Sequence, residues 1–185
     1  MTTEPTAAPL IGLAATAPSA REIVTRRGEH LSVRPASSAD EPALEALFER
    51  VAAEDRRFRF LSAQAHVGAE MLAPMTHCDH FRSENFLAFD PANGELVATA
   101  MLACDDPLDT GEIAVSVRSD WRGRGVGWAL LDLIAEEAAK RGLRRVISIE
   151  DRANHAAIEL EREKGFVARA VEGDATLVML EKVLR

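Results

Sequence analysis

Apolar positions along this chain switch between two spacings, and each switch marks the edge of an element. Residues 1 to about 20 follow neither spacing. They hold three of the eight prolines with a surplus of Ala and Thr, too little apolar surface to offset the entropy of ordering them. A mobile arm is expected there. From Glu22 a short hairpin is predicted: Ile23-Val24, a turn at Arg27-Gly28, then Leu31 to Val33. Ser38 and Glu41 have the spacing of a capping box, with Pro42 in the first turn. Leu44, Leu47, Phe48 and Val51 then recur at helical spacing. A second, less regular helix is expected between Gln64 and Met75. Asn85 to Phe89 and Glu95 to Cys104, joined by Asp90-Pro-Ala-Asn-Gly94, read as a hairpin.

The polar loop Asp105 to Asp109 leads to a strand, Glu112 to Val117, and then to a glycine-rich turn. Behind that turn Val126, Leu130, Leu131, Ile134 and Ala138 mark one side of a helix that ends on Lys140, Arg141 and Gly142. A strand over Arg144 to Glu150, a helix over Asn154 to Lys164 stopped by Gly165, and two strands from Phe166 complete the chain. No internal repeat or second domain shows. This order predicts one α/β (α+β) domain over residues 21–185, a mixed central sheet with helices on both faces.

Composition narrows the setting more than the fold. Apolar residues make up 47% and charged residues 28%, a soluble balance. No apolar run approaches the roughly 20 residues that span a bilayer. Met1-Thr-Thr-Glu-Pro5 lacks the basic start of a secretory signal, and Cys78 and Cys104 make no disulfide framework. A cytoplasmic protein without a membrane partner is expected. Thirty acidic against 22 basic side chains leave a net charge of −8, a field that repels nucleic acid and favours cationic or lysine-bearing partners.

The densest chemistry lies between Ser119 and Gly127. Gly123, Gly125 and Gly127 at alternate positions leave backbone N–H groups free to close on an anion, and the helix beginning near Val126 adds the positive end of its dipole. Arg118, Arg122 and Arg124 offer charge for further phosphates. A plain helix-capping loop would show the same glycines. A dinucleotide fingerprint fits poorly, because its glycines follow the first strand of a parallel unit, and several strands precede this turn. A phosphate-cleaving P-loop is excluded, since no Lys-Ser/Thr follows the last glycine.

Arg122-x-x-Gly125-x-Gly127, preceded by a strand and followed by an amphipathic helix, resembles the acyl-CoA signature of the GNAT acetyltransferases. Downstream, Asn154-x-x-Ala157-x-x-Leu160 with Gly165-Phe166 resembles that superfamily's second landmark. The resemblance spans roughly residues 31 to 183. It implies two splayed middle strands with acetyl-CoA in the cleft between them, its pyrophosphate on Arg122, Gly123, Arg124, Gly125, Val126, Gly127 and Trp128. It further implies contacts to the cofactor from Ile113, Ala114, Val115 and Val117 on the preceding strand, and from Asn154 to the pantetheine arm. Asn154 also suits a helix N-cap. A narrower resemblance lies in Arg34-Pro35, in Glu54-Asp55-Arg56-Arg57-Phe58-Arg59-Phe60 and in Glu112 to Asp120. These are similar to segments of Pat-type bacterial protein lysine acetyltransferases. That implies a protein substrate bearing a reactive lysine, such as an AMP-forming acyl-CoA synthetase, and no metal.

A lysine amine, with a reference pKa near 10.4, is almost wholly protonated at neutral pH and needs a base before it attacks a thioester. Glu112 matches the base position of Pat-like enzymes; by itself it is a strand-end carboxylate. Asp105, Asp106 and Asp109 are the fallback acids. Many GNAT enzymes place a tyrosine seven residues after the helix asparagine as general acid. Glu161 stands there, and the chain has no tyrosine, which leaves that acid unassigned. His77-Cys78-Asp79-His80 offers four ligand-type side chains, but adjacent pairs on one short loop rarely converge on a metal, so packing or substrate contacts are expected. Arg56, Arg57 and Arg59 interleaved with Phe58 and Phe60 suggest a half-buried aromatic pair under snorkelling arginines rather than base stacking. Cys104 lacks an evident histidine partner, so direct transfer is expected over a cysteine acyl-enzyme. Acetylation of a small-molecule amine and non-catalytic acyl-CoA sensing are the competing functions.

Overall fold

A computed structural model of the chain describes residues 20–60 and 66–184. The arm expected over residues 1–20 lies, apart from Ala20, outside the described residues, as does the start of the second predicted helix. The strands are β1 (Arg21–Val24), β2 (His30–Pro35), β3 (Ser83–Phe89), β4 (Leu96–Cys104), β5 (Thr110–Val117), β6 (Arg145–Asp151), β7 (Val167–Ala170) and β8 (Leu177–Val183). They form one sheet in the order β1-β2-β3-β4-β5-β6-β8-β7. Neighbours run antiparallel except β5 and β6, which are parallel because a helical crossover joins them.

That crossover is α4 (Val126–Lys140). With α5 (His155–Glu163) it covers one face, where Leu102, Leu130, Ile134, Val146 and Leu180 are fully buried. On the opposite face lie α1 (Glu41–Arg50), α2 (Ala53–Phe60) and α3 (Ala69–Thr76), closing over Leu44, Leu47, Leu72 and Leu87. Helices above and below explain why β3 and β4 are buried without alternation, over Glu84 to Ala88 and Leu96 to Ala100. The predicted mixed sheet with helices on both faces is the one that forms.

Two local expectations change. The capping box uses Ser37 and Asp40, one position before the predicted pair, and a 3₁₀ turn (Ser38–Asp40) leads into α1. The Asp40 carboxylate accepts the Ser37 N–H at 2.8 Å and both arms of the Arg34 guanidinium at 2.8 and 2.6 Å. The Arg34 fork selects Asp40 over Glu41. The second change is α2, for which the apolar spacing carried no helical signal. Its acids, Glu54 and Asp55, stand in the first turn and Arg57 and Arg59 in the last, which suits the helix dipole. Arg56 Nη1 donates to the Phe48 and Val51 carbonyls at 2.9 and 2.7 Å, and Phe60 meets Phe48 edge-on at 5.1 Å. These contacts tie α2 to the end of α1, and α2 packs against β5 and β6.

Candidate active site

β5 and β6 pair over three positions only, Thr110↔Arg145, Gly111↔Val146 and Glu112↔Ile147. Beyond Glu112 the two strands part, while β5 stays paired with β4 out to Val117. The edge of Ile113, Ala114, Val115 and Val117 turned towards β6 therefore lacks a strand partner. Unpaired backbone groups there suit a ligand that hydrogen-bonds as a strand does.

At the far end of that opening the chain enters the glycine-rich turn. Gly123 and Gly125 adopt φ of 72° and 82°, left-handed values that side chains oppose. Gly125 is the N-cap of α4, so the helix opens onto bare backbone with unpaired N–H groups. The turn is wedged from two sides. A Cβ on Gly125 would meet Thr25 and Arg26 at 3.4 Å, and one on Gly127 would meet Leu160 of α5 at 3.2 Å. Thr25 Oγ1 donates to the Arg124 carbonyl at 2.9 Å, so the β1–β2 hairpin braces the turn.

The cations around the turn divide into two groups. Arg122 pairs with Asp55 of α2, and Arg124 lies over Trp121 at 4.6 Å and 3.5 Å from Glu29. Trp128 is flanked by Arg26 at 4.0 Å and Lys164 at 3.7 Å, while Val126 belongs to the core. Arg118 departs from expectation. It is buried, gripped by Asp120 at 2.6 and 2.7 Å and by Glu95 at 2.8 Å, and it fastens the turn to the β3–β4 connection instead of facing phosphate.

Beside the point of divergence lies a cleft of about 300 Å³. Phe60, Met71, Met75 and Met101 give it apolar walls, and Arg59 and Glu112 are its two charged groups. Glu112, the last residue of β5 paired with β6, is exposed there. On the α5 side, Asn154 caps the helix, its Oδ1 accepting from the Ala157 N–H at 3.4 Å, and its Nδ2 donates to Glu150 at 2.7 Å. Burial pushes Glu150 up to about 7 against the opposing effect of that hydrogen bond. Burial likewise pushes Glu161 up to about 8; Ser148 Oγ, donating at 2.6 Å, opposes this and the charge of Glu150 adds to it. The position that lacks the expected tyrosine thus carries a carboxyl group protonated at neutral pH. Glu150 was not singled out from the sequence. The available signal was the alternation Ile147-Ser148-Ile149-Glu150, which turns polar groups inward on a central strand.

The remaining candidates are engaged in local structure. Asp79 Oδ1 accepts the N–H groups of Phe81, Arg82 and Ser83 at 3.0, 2.8 and 2.8 Å, and His80 pairs with Glu84 at 3.0 Å. Burial raises the Cys104 thiol, the reverse of an activated nucleophile. Asp105 ties the β4–β5 turn by accepting from the Asp109 and Thr110 N–H groups at 2.8 and 3.0 Å. Asp106 and Asp109 pair with Arg82 and Arg144. No described helix is long and apolar enough to cross a membrane.

Residues 46–166, which include the glycine-rich turn, the parting strands and Asn154, match the profile of the Acetyltransferase (GNAT) family. Over 82% of its length the chain is 27% identical to Acetyltransferase PA5475 of Pseudomonas aeruginosa, covering 83% of that protein. Over 43% of the chain it is 34% identical to the L-methionine sulfoximine/L-methionine sulfone acetyltransferase of the same species, covering 49% of it. Among solved structures, the GNAT domain of S. lividans PAT superposes with a TM-score of 0.81 at 28% identity, covering 89% of this chain and 96% of that one. The chain belongs to the GNAT family as an N-acetyltransferase, a family whose donor is acetyl-CoA.

Proposed function

We propose that the chain acetylates a primary amine by direct attack on acetyl-CoA, with Glu112 as general base, and that the amine is a lysine ε-amino group on a protein. The observation that carries this is the place of Glu112, exposed in an apolar cleft where β5 leaves β6. Phe60, Met71, Met75 and Met101 offer the methylene arm of a lysine deformable walls. Glu112 takes a proton from the ammonium. The freed nitrogen pair bonds the acetyl carbonyl carbon, the C–S bond breaks, and the second proton shed by the nitrogen passes to the departing thiolate.

The residues present suit the donor. The strand edge of Ile113, Ala114, Val115 and Val117 fits the pantetheine amides, with Asn154 opposite. The backbone from Gly123 to Trp128, with Arg122 and Arg124, fits the pyrophosphate. Similarity to a PAT domain and the net charge of −8 support a lysine-bearing protein partner; resemblance to Pat-type enzymes points to an AMP-forming acyl-CoA synthetase. A second substrate class, a small amine such as an amino acid, is favoured by the partial identity to a methionine sulfoximine acetyltransferase.

Glu112→Gln keeps size and hydrogen bonding but accepts no proton. Turnover at pH 7 should fall about a hundred- to ten-thousand-fold, with acetyl-CoA affinity unchanged by calorimetry. The deficit should shrink as pH rises and solvent deprotonates more of the amine. Full activity at pH 7 would place the base elsewhere. Labelled acetyl-CoA offered with lysine peptides, acyl-CoA synthetases and a panel of small amines separates the two substrate classes.

A further inference from the structure

Arg59, in the last turn of α2, lines the cleft together with Glu112. Its Nε is enclosed and has no hydrogen-bond partner among the described residues. The one side-chain hydrogen bond of Arg59 among them runs from Nη2 to Met101 Sδ at 3.7 Å, and a thioether is a weak acceptor. No carboxylate among the described residues stands within ion-pair distance of it, although the charges of Glu112 and Glu150 favour the cation against its burial. The neighbouring Arg56 also has an enclosed Nε without a partner, but its Nη1 is spent on the Phe48 and Val51 carbonyls at the end of α1, and Arg57 is exposed over the Phe58 ring. Arg59 alone on this helix brings a guanidinium into the cleft and leaves it under-satisfied there. A half-buried charge whose Nε is enclosed without a partner is costly until an anion meets it.

We propose that Arg59 binds a carboxylate carried by the acceptor, so that the acceptor is an amine with a carboxylate close beside it. This rests on Glu112 as the site of the amine. The cleft's two charged groups then each meet their opposite: ammonium at Glu112, carboxylate at Arg59, and the apolar part of the acceptor between Met71, Met75 and Met101. A guanidinium is suited to this because its planar fork of donors matches a carboxylate's two oxygens. A neutral carbonyl, such as that of the acetyl group, would fill the hydrogen bond and leave the charge unmatched. Two sources supply the chemistry: an acidic side chain flanking a target lysine, or the α-carboxylate of a free amino acid.

Matched acceptor pairs test it: lysine peptides with Glu or Gln beside the lysine, and free amino acids against their amides. Wild-type enzyme should favour the carboxylate member roughly ten- to hundredfold in kcat/KM, chiefly through KM. Arg59→Gln should bring each pair within about twofold while acetyl-CoA affinity and melting temperature are retained. Arg59→Lys, with charge but no fork, should restore part of the preference. A preference among the peptides assigns the carboxylate to a protein acceptor; one confined to amino acids assigns it to a small molecule, in which case the lysine proposal fails and the role of Arg59 stands. Wild-type enzyme that treats both members of every pair alike overturns the inference, whether or not Arg59→Gln folds. So does an Arg59→Gln loss that falls on kcat equally for both members, which would assign the guanidinium to the acetyl group.

Discussion

Glu161 reaches the sheet from α5, accepts a hydrogen bond from Ser148, and has its carboxyl pushed up to about 8 by burial; Glu150 on β6 rises to about 7. Unfolding returns both to about 4.5, so between pH 4.5 and 8 the folded chain holds protons that the unfolded chain has released. Stability contributed by these groups therefore falls as pH rises through that window, at up to about 1.4 kcal/mol per unit for each. Glu161→Gln mimics the protonated acid at every pH. Its melting temperature should match wild type near pH 5, exceed it near pH 8.5, and vary less between the two in scanning calorimetry. An unaltered slope would show that Glu161 is not the titrating group. Asp40 has the opposite sign. Held at about 2, chiefly by the Arg34 guanidinium, it contributes stability that is full above its unfolded value of 3.8 and lost as pH falls through 2. Arg34→Gln should destabilise by roughly 1–3 kcal/mol at neutral pH and progressively less towards pH 2, read from urea midpoints.

Among the elements, α2 connects the two halves of the site. Its first turn reaches the glycine-rich turn through the Asp55–Arg122 pair, and its last turn brings Arg59 to the cleft. Asp55 is a partly buried carboxylate whose protonation burial favours, the charge of Arg122 opposing it. In the proposed complex the pyrophosphate competes with Asp55 for Arg122. Asp55→Asn should then tighten acetyl-CoA binding, by up to about fivefold for a pair of this exposure. Weaker binding in calorimetry would mean that Asp55 orients Arg122 for the ligand. The helix shows why local patterns can mislead. Phe58 and Phe60, two residues apart, cannot share a helical stripe, and the arginine stems cover the rest of the buried side. α4 and α5, with true stripes, glycine stops and dipole-matched ends, were legible to within a residue or two.

At the scale of the molecule, the site exists only because three separate stretches meet at the glycine-rich turn: the β1–β2 hairpin through Thr25, α5 through Leu160, and α2 through Asp55. A ligand that binds only this assembled state stabilises it. Acetyl-CoA at a hundred times its Kd should add about 2.7 kcal/mol, or roughly 5–10 °C in melting temperature for a chain of this length. Arg122→Glu combined with Arg124→Glu should abolish most of that shift while leaving the unliganded melting temperature within a few degrees of wild type. Equal shifts in wild type and double variant would remove the pyrophosphate from the turn.

The sequence by itself determined the class of fold and the glycine-rich turn at the head of α4, because each rests on a local regularity, and its resemblance to a family pointed to the donor. Strand and helix periods, alternate glycines running into a helix, and the Asn154 landmark are all written within a few residues of themselves. Tertiary structure decided everything that depends on which charges are buried together. Arg118 looks like a phosphate ligand in the sequence, yet it is enclosed by Glu95 and Asp120. Glu161 looks like a gap left by a missing tyrosine, yet desolvation makes it a reservoir for a proton. Arg59 is one of three arginines in five residues, and only the packing of α2 over the parting strands sets it half-buried, its Nε enclosed, in the cleft that Glu112 also lines. Hydration of a charge is a property of its surroundings, and those surroundings are assembled by the fold from segments that local pattern does not connect.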